Sequence, residues 1–385
     1  MKIPVKYSIR SLLVRRVGTS MTAMGIGLTV AVVVVMLAMV HGLDMTFIES
    51  GDPLNLVVVR KGAQNEVNSY FDLTMFDTIR FLEGVQRDAD NVPIATGEIL
   101  VVVNLNRKDG SESNVSIRGI GDKSVELRPA LKVIEGRLPQ DGLRELMVSD
   151  ALRDRFSGLE LDTELDLNQS PWKIVGIFDS GDGANESEIW GGYQDIAQVW
   201  QRPVYSSILL RTESATASET LQKRIADDRR IQLDAINQKE YFENQTVSSI
   251  ALKALSVFIA IIMGIGSCFA IMNMMYGAVM SRQQEVATLR ALGFRRRSIL
   301  ASFLLESAFL GILGGIVGCL LGSLFNGYSA GTSNFASFSE VVFNFRVTPT
   351  ILLQGMLFAT FMGVLGGFLP ARRAASVRLI DVLRG

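Results

Sequence analysis

Four stretches of the chain are apolar over the length needed to cross a lipid bilayer. They lie at 18–42, 250–280, 299–325 and 347–369, and each exceeds the roughly 20 residues that a spanning helix requires. The third stretch is interrupted by one acid, Glu306. The pattern therefore predicts an integral membrane protein with four transmembrane helices.

The segment between the first two spans, 43–249, has a different pattern, in which strand-like and helix-like stretches alternate. Helices are expected at 71–81 and 217–226, and strands at 56–59, 99–105, 115–120, 172–178, 207–211 and 231–235. The predicted fold class is a membrane α-helical protein with a mixed α+β extracytoplasmic domain inserted between helices 1 and 2. From Gln238 to Met263 the chain contains no Pro or Gly, which predicts one helix running unbroken into the second span.

The distribution of basic residues predicts how the chain is oriented in the membrane. Short segments rich in Lys and Arg stay on the cytoplasmic side. The N-terminal segment carries five basic residues, the 281–298 loop carries five Arg and one Glu, and the tail carries four Arg and one Asp. With four spans these three segments share one side of the membrane. Both termini are therefore predicted to be cytoplasmic.

The predicted organisation follows from the spans and their orientation. It comprises a cytoplasmic N-terminal segment (1–17), transmembrane helix 1 (18–42), the extracytoplasmic domain (43–249), transmembrane helix 2 (250–280), a cytoplasmic loop (281–298), transmembrane helix 3 (299–325), an extracytoplasmic loop (326–346), transmembrane helix 4 (347–369) and a cytoplasmic tail (370–385).

Composition excludes several classes of function. The formal net charge of −1 indicates no nucleic-acid partner. The chain has one histidine, His41, so no triad or metal site built on several histidines is available. No phosphate-binding loop with its lysine occurs, so the chain is not expected to hydrolyse ATP. We expect no catalytic, cofactor-binding or metal-binding residues in this chain.

Small residues recur in the third span. Gly314, Gly318 and Gly322 lie four residues apart and therefore on one face of a helix. Glycines at this spacing let two helix backbones approach closely. The sequence predicts a transmembrane packing face, and we expect it to hold a second copy of the chain or a neighbouring helix.

Glu306 is predicted to lie inside the membrane, close to the cytoplasmic side. An acid in a bilayer is a candidate functional residue because burying its charge is unfavourable. Two interpretations stay open: a carboxyl that pairs with a neighbouring helix, or a residue with a role in coupling.

The loop 281–298 has the pattern of a short helix. Val286, Leu289 and Leu292 repeat at helical spacing, and Gly293 suits a left-handed C-cap. Arg282 and Glu285 can pair three residues apart. The helix either lies on the lipid surface or inserts into a partner protein.

The chain resembles the permeases of the FtsX/MacB-like ABC transporters. The resemblance rests on the pattern from Arg282 through Glu285, Val286, Leu289 and Arg290 to Gly293, on the helix start 299–306, and on the Pro-Ala-Arg-Arg-Ala-Ala sequence at 370–375. Within the large domain, 135–137 and the strand 175–178 also match.

The resemblance implies a mechanotransmission permease in the bacterial inner membrane, with its large domain periplasmic or extracellular. It implies a dimer with a second permease copy or paralogue, in contact with membrane lipid and bound to a cytoplasmic ABC ATPase subunit. That partner would hold ATP and Mg²⁺. The ATPase-coupling helix would contain Arg282, Glu285, Val286, Leu289, Arg290, Leu292 and Gly293.

Two functions are compatible with the resemblance. The first is export or extraction of a periplasmic substrate, for which a periplasmic adaptor and an outer-membrane channel are further partners. The alternative is an FtsX-like signalling or scaffold protein that regulates an extracytoplasmic cell-wall hydrolase.

Overall fold

Four long apolar helices carry the membrane part of this computed structural model, which describes residues 16–228, 230–334 and 337–376. Predictions that fall on 1–15 and 377–385 lie outside those residues. In chain order the helices are α1 Arg16–Ile48, α2 Thr74–Arg80, α3 Asp150–Arg155, α4 Tyr193–Val199, α5 Ala215–Asp227, α6 Gln238–Gln245, α7 Val247–Ser281, α8 Gln283–Ala291, α9 Arg296–Ser323 and α10 Pro349–Ser376.

The chain divides into two compact units. One contains Ala251–Tyr328, the chain up to His41 and the chain from Phe345 onwards; the other contains Gly42–Ile250 and Ser329–Asn344. Within the described residues, α1, α7, α9 and α10 are each long and apolar enough to span a membrane. At 1.5 Å per residue, even the 28 residues of α9 exceed the roughly 30 Å hydrocarbon layer. The predicted set of four membrane helices is confirmed.

The unbroken helix predicted from Gln238 into the second span is interrupted once. α6 ends at Gln245, and α7 begins at Val247. Between them Thr246 keeps right-handed helical angles, but its N–H donates to the carbonyl of Glu243, three residues earlier. The prediction of an unbroken helix is therefore wrong, because three-residue hydrogen bonding can interrupt a helix without Pro or Gly.

The second unit is built on one ten-stranded sheet. Its strands are β1 Asn55–Arg60, β2 Ala95–Asn106, β3 Glu112–Ile120, β4 Lys132–Gly136, β5 Glu145–Ser149, β6 Glu164–Leu167, β7 Ser170–Asp179, β8 Glu188–Gly192, β9 Ser207–Arg211 and β10 Leu233–Asn237. The order is β10-β1-β9-β2-β3-β8-β5-β7-β4, with β6 beside β7.

β2 joins two halves of this α/β domain. Its first residues, Ala95–Glu98, pair with β9, and the stretch from Ile99 to Asn106 pairs with β3. One apolar core forms around β1, β9 and α5, and another forms around β3, β5, β7 and β8. The mixed α+β domain predicted between helices 1 and 2 is confirmed.

The segment 326–346 is more than the loop that its sequence predicts. It contains an antiparallel hairpin of β11 Ser329–Ser333 and β12 Glu340–Asn344, and this hairpin belongs to the α/β unit. The Glu340 carboxylate, 1% exposed, accepts hydrogen bonds from Arg107 and Arg155 at 2.7 Å each. These two arginines therefore attach β12 to the domain.

Candidate functional site

The short helix α8 has the ends that its sequence predicts. Arg282 stands between α7 and α8 with φ −118° and ψ 17°, outside helical geometry. At the other end Gly293 adopts φ +88°. Its N–H donates to Arg290, and the N–H of Phe294 donates to Leu289. This is the Schellman pattern, and it confirms the predicted left-handed cap.

One face of α8 is buried against its own chain. Val286 and Ala287 are 4% and 5% exposed, and Val286 belongs to an apolar cluster that includes Ile299 and Phe303 of α9. Arg290 Nη1 donates to the carbonyl of Ala375 in α10 at 3.2 Å. α8 is therefore held by both neighbouring membrane helices.

The three apolar residues that repeat at helical spacing differ in exposure. Val286 faces the core of its own unit, so it is not available to a partner. Leu289 is half-buried, whereas Leu292 is 67% exposed. Helical spacing shows which side chains share a face, but it does not show which partner covers that face. Leu292 is thus the apolar side chain of this set that is open to a partner.

Glu306 contacts Arg282, the residue that precedes α8. Its Oε2 lies 3.1 Å from Arg282 Nη1, while Arg282 Nε lies 3.1 Å from Glu285 Oε2. Glu306 is 4% exposed, and the Arg282 guanidinium also lies 5.8 Å from the centre of the Phe303 ring. The carboxylate inside the third span is therefore paired with the start of α8.

We expect Arg282→Gln or Glu306→Gln to loosen α8. Either change removes the opposite charge that the Arg282–Glu306 pair supplies to its other member, at a cost of about 2 kcal/mol. Hydrogen exchange of the α8 amides should rise in both single variants and fall back in the double variant. Glu285→Gln is the control, because the Glu285 side chain is 56% exposed. Equal protection in the unmodified chain and in all four variants would exclude a role for the Arg282–Glu306 pair in holding α8.

The predicted glycine face lies against α1 of the same chain. A Cβ on Gly318 would stand 2.5 Å from Val30 Cβ, and a Cβ on Gly314 or Gly322 would stand 2.6 Å from Ile26 or Val34. The hypothesis that this face holds a second copy is therefore wrong, because α1 already covers it. A polar contact between Thr29 and Ser267 hydroxyls, 2.7 Å apart, also links α1 to α7.

We expect Gly318→Leu to lower the melting temperature of the purified chain. The added side chain has no room beside Val30, and overpacking of this kind costs about 1–3 kcal/mol. Gly266→Leu in α7 is the matched control, because a Cβ there meets nothing within 4 Å. Equal melting temperatures for the two variants would contradict the packing face.

The α/β domain has a buried charge cluster that sequence patterns did not reveal. Arg118 forms ion pairs with Glu66 and Glu98 at 2.8 Å and with Glu188 at 2.7 Å, and Arg128 pairs with Glu98 at 2.6 Å. All five side chains are nearly inaccessible to solvent. They come from separate parts of the chain, so no local motif marks them.

The cluster is held in its charged form. Burial acts to raise the pKa of Glu98, but the Arg128 and Arg118 charges outweigh it and lower that pKa to about 2. The same balance, with Arg118 as the cation, lowers the pKa of Glu66. The cluster is a structural centre of the domain, since three carboxylates from separate parts of the chain share two arginines.

Two family models match the chain. The MacB-like periplasmic core domain matches residues 19–228, more than half of the chain, and the FtsX-like permease C-terminal domain matches residues 257–379. The chain belongs to the FtsX/MacB-like family of ABC transporter permeases. The second match contains α8, Glu306 and the glycine face.

The relatives of this permease include one protein of similar length and others that are longer. It is 23% identical to the ABC transporter permease YvrN of Bacillus subtilis, over 99% of its own chain and 98% of that protein. It is 24% identical to the macrolide export ATP-binding/permease protein MacB of Escherichia coli, over 96% of its own chain but 59% of the relative. With MacB of Hahella chejuensis it shares 28% identity over 70% of its chain and 43% of the relative.

Proposed function

We propose that this permease couples ATP hydrolysis by a separate ATPase subunit to motion of its α/β domain, for export or extraction of a periplasmic substrate. The observation that carries the proposal is α8, which is fixed to α9 and α10 and is followed directly by the exposed side chain of Leu292. A displacement of α8 by a bound partner would therefore be transmitted to the membrane helices α9 and α10.

The lengths of the relatives support a separate ATPase. The proteins named MacB are described as ATP-binding and permease proteins, and this chain spans 59% or less of the two cited above. YvrN, which is named a permease only, is matched over 98% of its length. ATP and Mg²⁺ would then be bound by the partner chain.

The proposed assembly is a dimer with a second permease copy or a paralogue. α1 covers the glycine face, whereas α7 presents exposed apolar side chains such as Phe258, Ile261 and Phe269. These would meet lipid or the second permease. A periplasmic adaptor and an outer-membrane channel complete the proposal for an exporter.

Purification of the complex tests the proposal. The full chain, extracted in mild detergent, should bring with it a chain that contains a phosphate-binding loop and hydrolyses ATP. Recovery of an extracytoplasmic hydrolase with no ATPase would contradict it.

The proposed location is the bacterial inner membrane, with both termini cytoplasmic and the α/β domain on the opposite side. Cysteines introduced singly at the exposed positions Glu164 and Gln284, in a chain whose Cys268 and Cys319 are replaced by Ala, test this orientation. An impermeant maleimide should label Glu164→Cys in intact spheroplasts and Gln284→Cys only after lysis. Labelling of Gln284→Cys before lysis would contradict the proposed orientation.

A further inference from the structure

The α/β domain contains a cleft that the coupling proposal does not use. It has a volume of about 270 Å³ and lies among β2, α2 and the start of α4. Its floor depends on Gly97 in β2, because a Cβ there would stand 2.6 Å from Cε1 of Tyr205. The missing side chain lets the Tyr205 ring lie directly on the strand.

One wall of the cleft is aromatic. The rings of Tyr193 and Tyr205 are 4.6 Å apart at an angle of 38°, and Phe76 meets Tyr205 edge-on at 5.5 Å. The Tyr193 hydroxyl donates to the carbonyl of Val204 at 3.5 Å. Among the described residues, none forms a hydrogen bond with the Tyr205 hydroxyl. The wall therefore offers a π surface and a phenol group to a ligand.

The cations of the cleft are already paired within the chain. Arg80 lies 2.6 Å from Asp77. Lys123 lies 2.7 Å from Asp88 and 2.8 Å from Glu126. Neither cation is therefore available to neutralise the acids that line the same cleft.

Those acids are Asp122 and Asp141, and neither has an ion-pair partner in the part of the chain that the structure describes. The Asp141 carboxylate lies against Gly192, next to Tyr193. Partial burial, followed by the neighbouring charges of Asp195 and Asp122, raises the pKa of Asp141. Asp122 and Asp141 are exposed and line the same cleft as the Tyr193 and Tyr205 rings, so the cleft offers a cation two carboxylates beside an aromatic wall.

We propose that this cleft binds a small organic cation, an amine attached to an aromatic or apolar body. The amine would face Asp122 and Asp141, and the body would lie against Tyr193 and Tyr205. The volume is just below the roughly 300 Å³ at which pockets for drug-sized ligands begin, so the bound part is smaller than such a ligand. The site does not depend on the ATPase.

Tryptamine and its neutral counterpart tryptophol test the site, because they differ only by an ammonium in place of a hydroxyl. The full chain is purified in nanodiscs without its ATPase, and binding is measured by calorimetry against empty nanodiscs. We expect the Kd for tryptamine to be about tenfold or more below the Kd for tryptophol, because a charge-assisted hydrogen bond contributes about that much affinity.

Two sets of variants locate the binding. Asp122→Asn combined with Asp141→Asn should abolish the preference for tryptamine, whereas Asp166→Asn, an exposed aspartate outside the cleft, should retain it. Tyr205→Ala should weaken both ligands. Equal binding of the two ligands by the unmodified chain, or a preference that survives the double Asn variant, would overturn the proposal. Because no ATPase is present, either result leaves the coupling proposal untouched.

Discussion

Replacing Arg118 by Leu is expected to destabilise the α/β domain by about 3–5 kcal/mol, the usual effect of removing one partner from a buried ion-pair network. Glu66 and Glu188 would keep their burial and lose their cation. Hydrogen exchange of the sheet amides in the full chain, measured by mass spectrometry, should rise across β2, β3 and β8.

The pH dependence of the stability of Arg118→Leu is a second test of the buried charge cluster. In the unmodified chain the depressed pKa of Glu98 contributes stability above pH 4.5 that is lost as pH falls towards 2. In Arg118→Leu the burial of Glu66 is no longer opposed by Arg118, so the folded pKa of Glu66 should rise above its unfolded value. The variant should therefore regain stability on acidification, because its folded state then binds more protons than its unfolded state.

Arg230→Leu is the matched control, because Arg230 is 88% exposed and pairs with Asp228 at the surface. We expect it to leave hydrogen exchange unchanged, as exposed ion pairs contribute little. A full-length Arg118→Leu chain with normal exchange at neutral pH would show that the cluster does not hold the domain together.

Leu292→Asp is expected to separate the permease from its ATPase while leaving the permease folded. Burying a leucine of this size in a partner's groove contributes about 1.5–3 kcal/mol, which corresponds to roughly a 10- to 100-fold change in affinity. The side chain is 67% exposed in the single chain, so the substitution leaves the internal packing intact. Co-purification of the ATPase and its activity in the complex are the readouts.

Two further variants separate loss of ATPase binding from loss of folding. Phe81→Asp, at a 55% exposed site in the α/β domain, should keep the ATPase bound. Val286→Asp should instead destabilise the membrane unit, since Val286 is buried in it. If Leu292→Asp retains full ATPase binding and activity, α8 lies on lipid instead of in a partner.

The four membrane helices were predictable because each is marked by its own local composition. Hydropathy along some 20 residues determines whether a segment can span a bilayer, and no other part of the chain needs to be known. The same holds for Gly293, whose left-handed conformation follows from the end of a helical pattern beside a glycine.

The features that the sequence did not reveal depend on residues far apart in the chain. β11 contains Ser, Ala, Gly and Thr, so it lacks the β-branched and aromatic signal of a strand and is identified by its pairing with β12. Glu340 finds its arginines 185 or more positions away. The orientation of Val286 likewise depends on α9 and α10, which no helical spacing describes.

A photoreactive amino acid placed at Leu292 tests the central claim most directly. After irradiation of native membranes, the account predicts a covalent adduct between this chain and a protein that contains a phosphate-binding loop, identified by mass spectrometry. The same residue placed at Phe81 should give no such adduct. If the Leu292 site of a folded, membrane-inserted chain captures lipid alone and never an ATPase, α8 is not the coupling helix.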